Sequence, residues 1–276
     1  MRSQPSSVSR LATILLIVGI VLVFFYLRSR PNPAQQTTVA PTQRAGTARA
    51  PRATAALTSA AISRTPGGMP EMSQKPQPAE ITFQGCPPEG DGNDPALNRL
   101  KNRVDDAQNY VPVQFDAYEK LPWPKTVERK ARSKWSAADS AAIARYEGIP
   151  VVITGYLASA REEGPESPNC HGADHPFRDF HIWLTKNANG DRSGSIVIEA
   201  TPRVRVKHPG WRTDVLGQIA RADQQVRISG WSMLDPEHPD QVGKTRGTIW
   251  EIHPIMQIEV QRQGQWVTLD NFAGQQ

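Results

Sequence analysis

Apolar and polar residues alternate with a period of two in five segments between residues 149 and 260. Successive side chains of a β-strand point to opposite faces, so this alternation predicts five strands that each bury one face. The predicted inward positions are Ile149, Val151, Ile153, Gly155 and Leu157; Phe180, Ile182 and Leu184; Ile196, Ile198 and Ala200; Val226 and Ile228; and Trp250, Ile252, Met256, Ile258 and Val260. Pro254 removes a ladder hydrogen bond from the fifth segment, which indicates an edge or a bulge there.

Residues 213–221 follow a helical pattern instead, with Val215, Leu216 and Ile219 on one side. A helix between the third and fourth of five strands is typical of a small Greek-key barrel of the OB type. We therefore expect a mainly β fold, with a five-stranded OB-type barrel over residues 149–270. A β-sandwich is the alternative, although it normally has seven or more strands and no helix at this point.

Residues 81–148 are predicted to form a strap of short helices and irregular segments that packs on the barrel. Asp94 before Pro95 is a favourable helix N-cap, with Leu97 on the apolar face that follows. Ser136 with Asp139 three residues later resembles a capping box and opens a second helix.

Residues 11–27 are an uncharged apolar run between Arg10 and Arg28. As a helix this run spans about 25 Å, the lower limit for crossing a bilayer. We predict an N-terminal tail (1–10), one transmembrane anchor (11–27) and a disordered spacer rich in Pro, Ala, Thr and Ser (28–80). A cleaved signal peptide is the alternative, but this run is longer than usual and no small-residue cleavage site follows it. The short tail before the anchor favours a single-pass protein of the cell membrane with its C-terminal domain outside the cytoplasm.

The net charge of +5 is unevenly distributed along the chain. Residues 1–80 carry nine Lys and Arg against two acidic residues, and residues 81–276 carry 23 basic and 25 acidic residues. Nucleic-acid-binding domains usually carry a basic footprint of their own. The mildly acidic C-terminal part therefore makes nucleic acid an unfavoured partner.

Three sequence blocks resemble a group of uncharacterised bacterial membrane-anchored or exported proteins with an OB-fold-like domain. They are GCPPEG with LNRLKNR (85–90 and 97–103), ESPNCH with DFHIWL (166–171 and 179–184), and WEIHP (250–254). This resemblance covers most of residues 81–260. It implies an OB-like fold and no activity.

In an OB barrel, ligands lie across the second and third strands, beneath the loops that join strands 1–2 and 4–5. These are the long loops of this chain, residues 158–178 and 235–247. The candidate ligand-binding residues on or beside that face are His181, Trp183, Glu199, Arg246, Glu251 and His253.

Histidines near that face suggest a divalent metal site. The candidate metal ligands are His171, His175, His181 and His253, with carboxylates such as Asp174 or Glu199. Imidazole combined with carboxylate suits zinc or a similar ion, and an open coordination position would allow a bound water to be activated for hydrolysis. The spacing matches no known metal signature, and a polar loop whose histidines cap turns explains it equally well.

A noncatalytic binding module is the other interpretation. Trp183 would offer an aromatic platform, with Arg203, Arg205, Lys207 and Arg212 beside it. The alternation in residues 202–207 fits a charged strand edge as well. An exported acidic domain favours an envelope protein or a glycan as partner.

Cys86 and Cys170 are the only cysteines. An exported chain meets an oxidising compartment, which favours a disulfide between them. Metal ligation by Cys170 and a nucleophilic thiol are the alternatives.

The sequence thus predicts a membrane-anchored, exported OB-fold binding module of the bacterial envelope, without identifying its ligand. The alternative is a metal-dependent hydrolase that uses His171, His181, Glu199 and His253.

Overall fold

The fold comes from a computed structural model that describes residue 75 and residues 78–274. The predicted tail, the anchor and nearly all of the predicted spacer lie outside these residues. Within the described part of the chain, no helix combines the length and the apolar character that crossing a bilayer requires.

The N-terminal part of the described chain is built from short elements. They are α1 (Pro95–Lys101), β1 (Val111–Pro112), α2 (Phe115–Glu119) and α3 (Ala137–Ala144). Both predicted N-caps are present: Asp94 Oδ1 accepts from the Leu97 amide at 3.1 Å, and Ser136 Oγ accepts from the Asp139 amide at 3.0 Å. β1 pairs in parallel with the first barrel strand, so this segment is joined to the barrel by backbone hydrogen bonds.

Five strands form the barrel, and their alternating residues supply its core. They are β2 (Pro150–Glu162), β3 (Phe180–Thr185), β4 (Ile196–Ala200), β5 (Gln225–Leu234) and β6 (Trp250–Arg262). Ile182, Ile198 and Ile228 of three different strands are among the buried residues of one apolar cluster. The predicted period of two is therefore the period at which side chains enter the core.

The strand order is β2-β3-β4-β6-β5, and β5 returns to pair with β2. All barrel pairings are antiparallel except that of β4 with β6. This confirms the prediction of a mainly β fold with a closed five-stranded barrel, and the arrangement is consistent with an OB-like barrel.

Two helices, α4 (Pro202–Arg205) and α5 (Thr213–Arg221), lie between β4 and β5. The second is the predicted helix, and its Val215, Leu216 and Ile219 are buried as its pattern indicates. After the barrel, β7 (Gln265–Thr268) forms a hairpin with β6, and α6 (Leu269–Ala273) ends the described chain.

The interpretation of residues 202–207 as a charged strand edge is wrong. Pro202 occupies the first turn of α4, where the missing N–H costs nothing. Arg203 points inward and is fully buried. The alternation of charged and apolar residues here reflects a short helix with one buried cation.

The irregularity predicted at Pro254 is present where β5 meets β6. The register shifts on either side of Gly230, which pairs with Ile255 while Ser232 pairs with Ile252. A side chain at Gly230 would place its Cβ 2.5 Å from the Pro254 carbonyl oxygen. Only glycine fits this close approach, and the bulge lets β6 continue along the barrel.

Candidate functional site

A pocket of about 630 Å³ opens on one side of the barrel, between the β2–β3 loop and the β5–β6 loop. His181 and Trp183 of β3 and Glu199 of β4 line it. This barrel face and these two loops are the ones at which the sequence predicts a ligand.

The pocket lining is polar and carries both charges. Its basic residues are Lys101, Arg161, Arg192, Lys244 and Arg246, and its acidic residues are Glu163, Glu166, Glu199, Asp235, Glu237 and Asp240. Arg192 and Lys244 are exposed at the surface, whereas Glu199 and Asp235 are buried. Exposed charged side chains thus lie near the mouth, and buried carboxyl groups lie deeper.

His181 is held between two carboxylates. Its Nδ1 lies 3.1 Å from Glu163 Oε1 and 3.4 Å from Glu199 Oε1. Burial lowers the pKa of His181. Burial opposes ionisation of Glu163 as well, but hydrogen bonds from His181 and Arg161 outweigh it and lower the pKa of Glu163 to about 2. Glu163 is therefore a fixed negative charge at neutral pH.

A second buried chain of polar groups runs along β6. Arg246 Nη1 donates to Glu251 Oε1 at 2.6 Å, and His253 Nδ1 lies 3.4 Å from Glu251 Oε2. Burial and the nearby Asp235 favour the neutral acid, but Arg246 and His253 outweigh them and lower the pKa of Glu251. The β-strand places both Glu251 and His253 on one face, and Arg246 reaches them from the preceding loop.

Asp179, Glu199 and His253 form a buried group at the meeting point of β3, β4 and β6. Each offers one potential ligand atom, and these atoms lie within 4.8 Å of one another. Asp179 Oδ2, Glu199 Oε2 and His253 Nε2 are buried without a hydrogen-bond partner. Glu199 Oε2 lies 3.4 Å from His253 Nδ1, but in a geometry that forms no hydrogen bond.

Burial dominates the electrostatics of the two acids in this group. It raises the pKa of Asp179, and it raises the pKa of Glu199 well above its usual value with a further contribution from Glu251. Buried atoms without partners are rare in folded proteins, because each costs about 1–3 kcal/mol. This group brings three residues with such atoms together beside the pocket.

Glu166 lies in the β2–β3 loop and lines the pocket. Burial raises its pKa to about 7, although Lys101 opposes the shift. A carboxyl group with this pKa exchanges protons near neutral pH, which is the property of a general acid or base.

Trp183 does not provide the open platform that base stacking requires. It is 4% exposed, and the guanidinium carbons of Arg192 and Arg161 lie 4.4 and 5.2 Å from its ring centroid. The His181 ring lies 4.4 Å from it as well. Among the cations expected beside it, Arg203 is buried elsewhere and Arg212 is paired with Asp214.

The structure brings only some of the predicted metal ligands together. His181 and His253 both contact Glu199 inside the barrel face. His171 and His175 lie on the exposed loop, where their Nδ1 atoms pair with Asp91 at 2.9 Å and Glu162 at 2.5 Å. Neither of these two belongs to the buried group of Asp179, Glu199 and His253.

Sequence reasoning missed Asp179, which is the third member of the buried group. A signal was present, because Asp179 precedes His181 by two residues and the two therefore share one face of an extended segment. Lys101 was missed too. It comes from α1, and nothing local relates it to the barrel.

The predicted disulfide is confirmed: Cys86 and Cys170 are bonded, with 5.8 Å between their Cα atoms. The bond joins the segment before α1 to the β2–β3 loop. Asn169, the neighbour of Cys170, donates to Asp179 Oδ1 at 3.1 Å and accepts from Arg203 at 2.9 Å. The disulfide and these hydrogen bonds thus hold the β2–β3 loop in place, and Asn169 of this loop orients Asp179. Thiol chemistry at Cys170 is excluded while the disulfide is intact.

The chain matches no protein-family model, no curated protein and no solved structure.

Proposed function

We propose that this protein is a binding module of the bacterial envelope, anchored by residues 11–27, whose ligand occupies the pocket between the β2–β3 and β5–β6 loops. The mixed-charge pocket on the barrel face carries this proposal. The disulfide agrees with an oxidising compartment outside the cytoplasm. The barrel positions the pocket as OB-like folds position their ligand sites.

The lining indicates the chemistry of the ligand. Arg192 and Lys244 near the mouth attract carboxylates, and Asp240 and Glu237 attract amino groups. A polar ligand with both groups fits this lining better than a polyanion, which the acidic residues would repel. Envelope glycopeptides of the peptidoglycan type, with an amino sugar and a peptide that bears carboxylates, have this composition.

The test is a calorimetric titration of the full-length chain with soluble muropeptides prepared from peptidoglycan. We expect saturable binding that weakens as salt is raised, because exposed charges are screened. Arg192→Ala and Lys244→Ala should each weaken binding by roughly threefold to tenfold. Arg212→Ala is the matched control, since Arg212 is an exposed cation outside the pocket.

Two results of this titration would count against the proposal. The absence of any heat of binding would exclude muropeptides as the ligand class. An equal loss of muropeptide affinity in Arg192→Ala and Arg212→Ala would exclude the pocket as the binding site. Binding of an oligonucleotide with higher affinity would overturn the argument from mixed charge.

The buried group of Asp179, Glu199 and His253 favours a second candidate, a metal-dependent hydrolase on the same face. His171, which the sequence suggested as a ligand, lies outside the group. Glu166 lines the pocket with a pKa of about 7 and would accept the proton of an attacking water. Cleavage of the muropeptide during the titration, stopped by a chelator, would favour this candidate over simple binding.

A further inference from the structure

We propose that Asp179, Glu199 and His253 bind a divalent transition-metal ion, Zn²⁺ or Mn²⁺, beside the pocket. This inference deepens the second candidate function by defining its metal site, and it holds whether or not the protein catalyses a reaction. The three residues come from the position just before β3, from β4 and from β6, so the closed barrel itself brings them together.

The free atoms of the three residues support a cation between them. Asp179 Oδ2, Glu199 Oε2 and His253 Nε2 are all buried, and none has a hydrogen-bond partner. The residues are 1%, 5% and 1% exposed, so these atoms are closed to bulk solvent. A purely structural polar network would pair such atoms, because leaving them unpaired is costly. One potential ligand atom of each residue lies within 4.8 Å of the others, so a single cation would contact all three residues at once.

The other polar atoms of these side chains are already oriented by neighbours. Asn169 donates to Asp179 Oδ1 at 3.1 Å, and Glu251 Oε2 lies 3.4 Å from His253 Nδ1. Carboxylate or amide partners of this kind fix the direction in which a metal ligand points. The Asp179 and His253 side chains therefore each have one polar atom held by a neighbour and one without a hydrogen-bond partner.

A further contact orients Glu199. Its Oε1 lies 3.4 Å from His181 Nδ1, while its Oε2 is the unpaired atom. Glu199 also lines the pocket. A cation bound by Glu199 is thus next to the space in which the ligand is proposed to lie.

The ligand set decides the class of metal. Mg²⁺ and Ca²⁺ prefer oxygen ligands alone, whereas one imidazole with two carboxylates suits Zn²⁺ or Mn²⁺. No thiolate competes for the ion, because both cysteines of the chain form the disulfide. Three protein ligands leave coordination positions for water or for a group of the bound ligand.

The test is equilibrium dialysis of the chelator-stripped full-length chain against Zn²⁺ and, separately, Mn²⁺, with the bound metal measured by elemental analysis. We expect one tight equivalent of at least one ion, and a rise in the thermal unfolding midpoint in its presence. Asp179→Asn and His253→Gln keep the size of each side chain and should remove the tight equivalent. Glu251→Gln keeps all three ligands but loses the orienting charge, so we expect affinity to fall by about 10- to 100-fold.

His175→Gln is the matched control, because His175 is an exposed histidine paired with Glu162 outside the group. It should bind metal as the wild-type chain does. Loss of the tight equivalent in His175→Gln but not in His253→Gln would overturn the assignment.

Folding of each variant is checked by near-ultraviolet circular dichroism. Metal binding by the wild-type chain tests the site without any substitution. If neither ion binds it tightly or shifts its unfolding midpoint, the metal site does not exist. Metal binding without cleavage of muropeptides would support the metal site and contradict the hydrolase function. Failure of the metal site and failure of the hydrolase function therefore give different results.

Discussion

Arg203 has a fully buried guanidinium group that connects three separate segments of the chain. It donates to Asn102 Oδ1 at 2.8 Å, to Asn169 Oδ1 at 2.9 Å and to the Cys86 carbonyl at 3.1 Å. Burial lowers its pKa to about 10, which still leaves the group charged at neutral pH. Asn169 in turn orients Asp179, so this buried cation supports the geometry of the candidate site from a distance.

Replacing Arg203 by lysine should destabilise the protein by about 2–4 kcal/mol. Lysine keeps the charge but has no planar fork to serve several acceptors, and the carbonyls left unpaired each cost free energy. Urea unfolding measures the effect. Arg212→Lys, an exposed change, should stay within about 0.5 kcal/mol of the wild type. Equal stability of the two variants would mean that the network around Arg203 contributes nothing.

At the scale of elements, the β2–β3 loop is the segment that links the barrel to the N-terminal strap. The disulfide between Cys86 and Cys170 closes a separation of 84 residues. Cross-links of this length restrict the unfolded chain and stabilise the fold by about 4–5 kcal/mol in the chain-entropy model. The same loop contributes Glu163 and Glu166 to the pocket, so its order matters for binding as well as for stability.

The double variant Cys86→Ser, Cys170→Ser should therefore lose roughly 2–5 kcal/mol of unfolding free energy. It should also bind the proposed metal less tightly, since Asn169 would hold Asp179 less firmly. Denaturation of the oxidised wild type and of the variant gives the first quantity, and metal dialysis gives the second. An unchanged unfolding midpoint would show that the loop is ordered without the bond.

The elements were predictable from the sequence because their signals are local. Alternation over a few residues predicts each strand of the barrel, and Asp94 and Ser136 mark helix starts through contacts three residues away. Residues 202–207 were misread because the inward direction of Arg203 depends on acceptors that lie 34 to 117 residues away in sequence.

The candidate site was predictable only in part, for the same physical reason. His181, Glu199 and His253 were found because the strand pattern gives the face on which each lies. The local pattern could not separate them from His171 and His175, which the structure places in surface ion pairs. Lys101 joins the site through tertiary packing that no short window of sequence encodes. Asp179 shares a face with His181, but it meets Glu199 and His253 only in the folded barrel.

At the scale of the whole molecule, the barrel has two kinds of interior. One is the apolar core under α5, and the other is the polar face where β3, β4 and β6 meet the pocket. We propose that this polar face is a binding site rather than part of the structural framework. Proteins commonly accept some loss of stability at sites built for function. Replacing the buried carboxyl group of Glu199 there should then stabilise the protein.

The most direct measurement is the free energy of unfolding of Glu199→Gln, in the presence of a chelator and without ligand. All seven Trp lie between Trp123 and Trp266, so intrinsic fluorescence follows the unfolding of this part of the chain. We predict that Glu199→Gln is more stable than the wild type, because a neutral amide replaces a buried carboxyl group close to Glu251.

Glu259→Gln is the matched control on β6, where both carboxylate oxygens accept from Arg227, at 2.6 and 2.7 Å. It should be less stable than the wild type, because its charge serves the fold. If Glu199→Gln is destabilised to the same degree as Glu259→Gln, the polar face belongs to the framework of the barrel and is not a binding site.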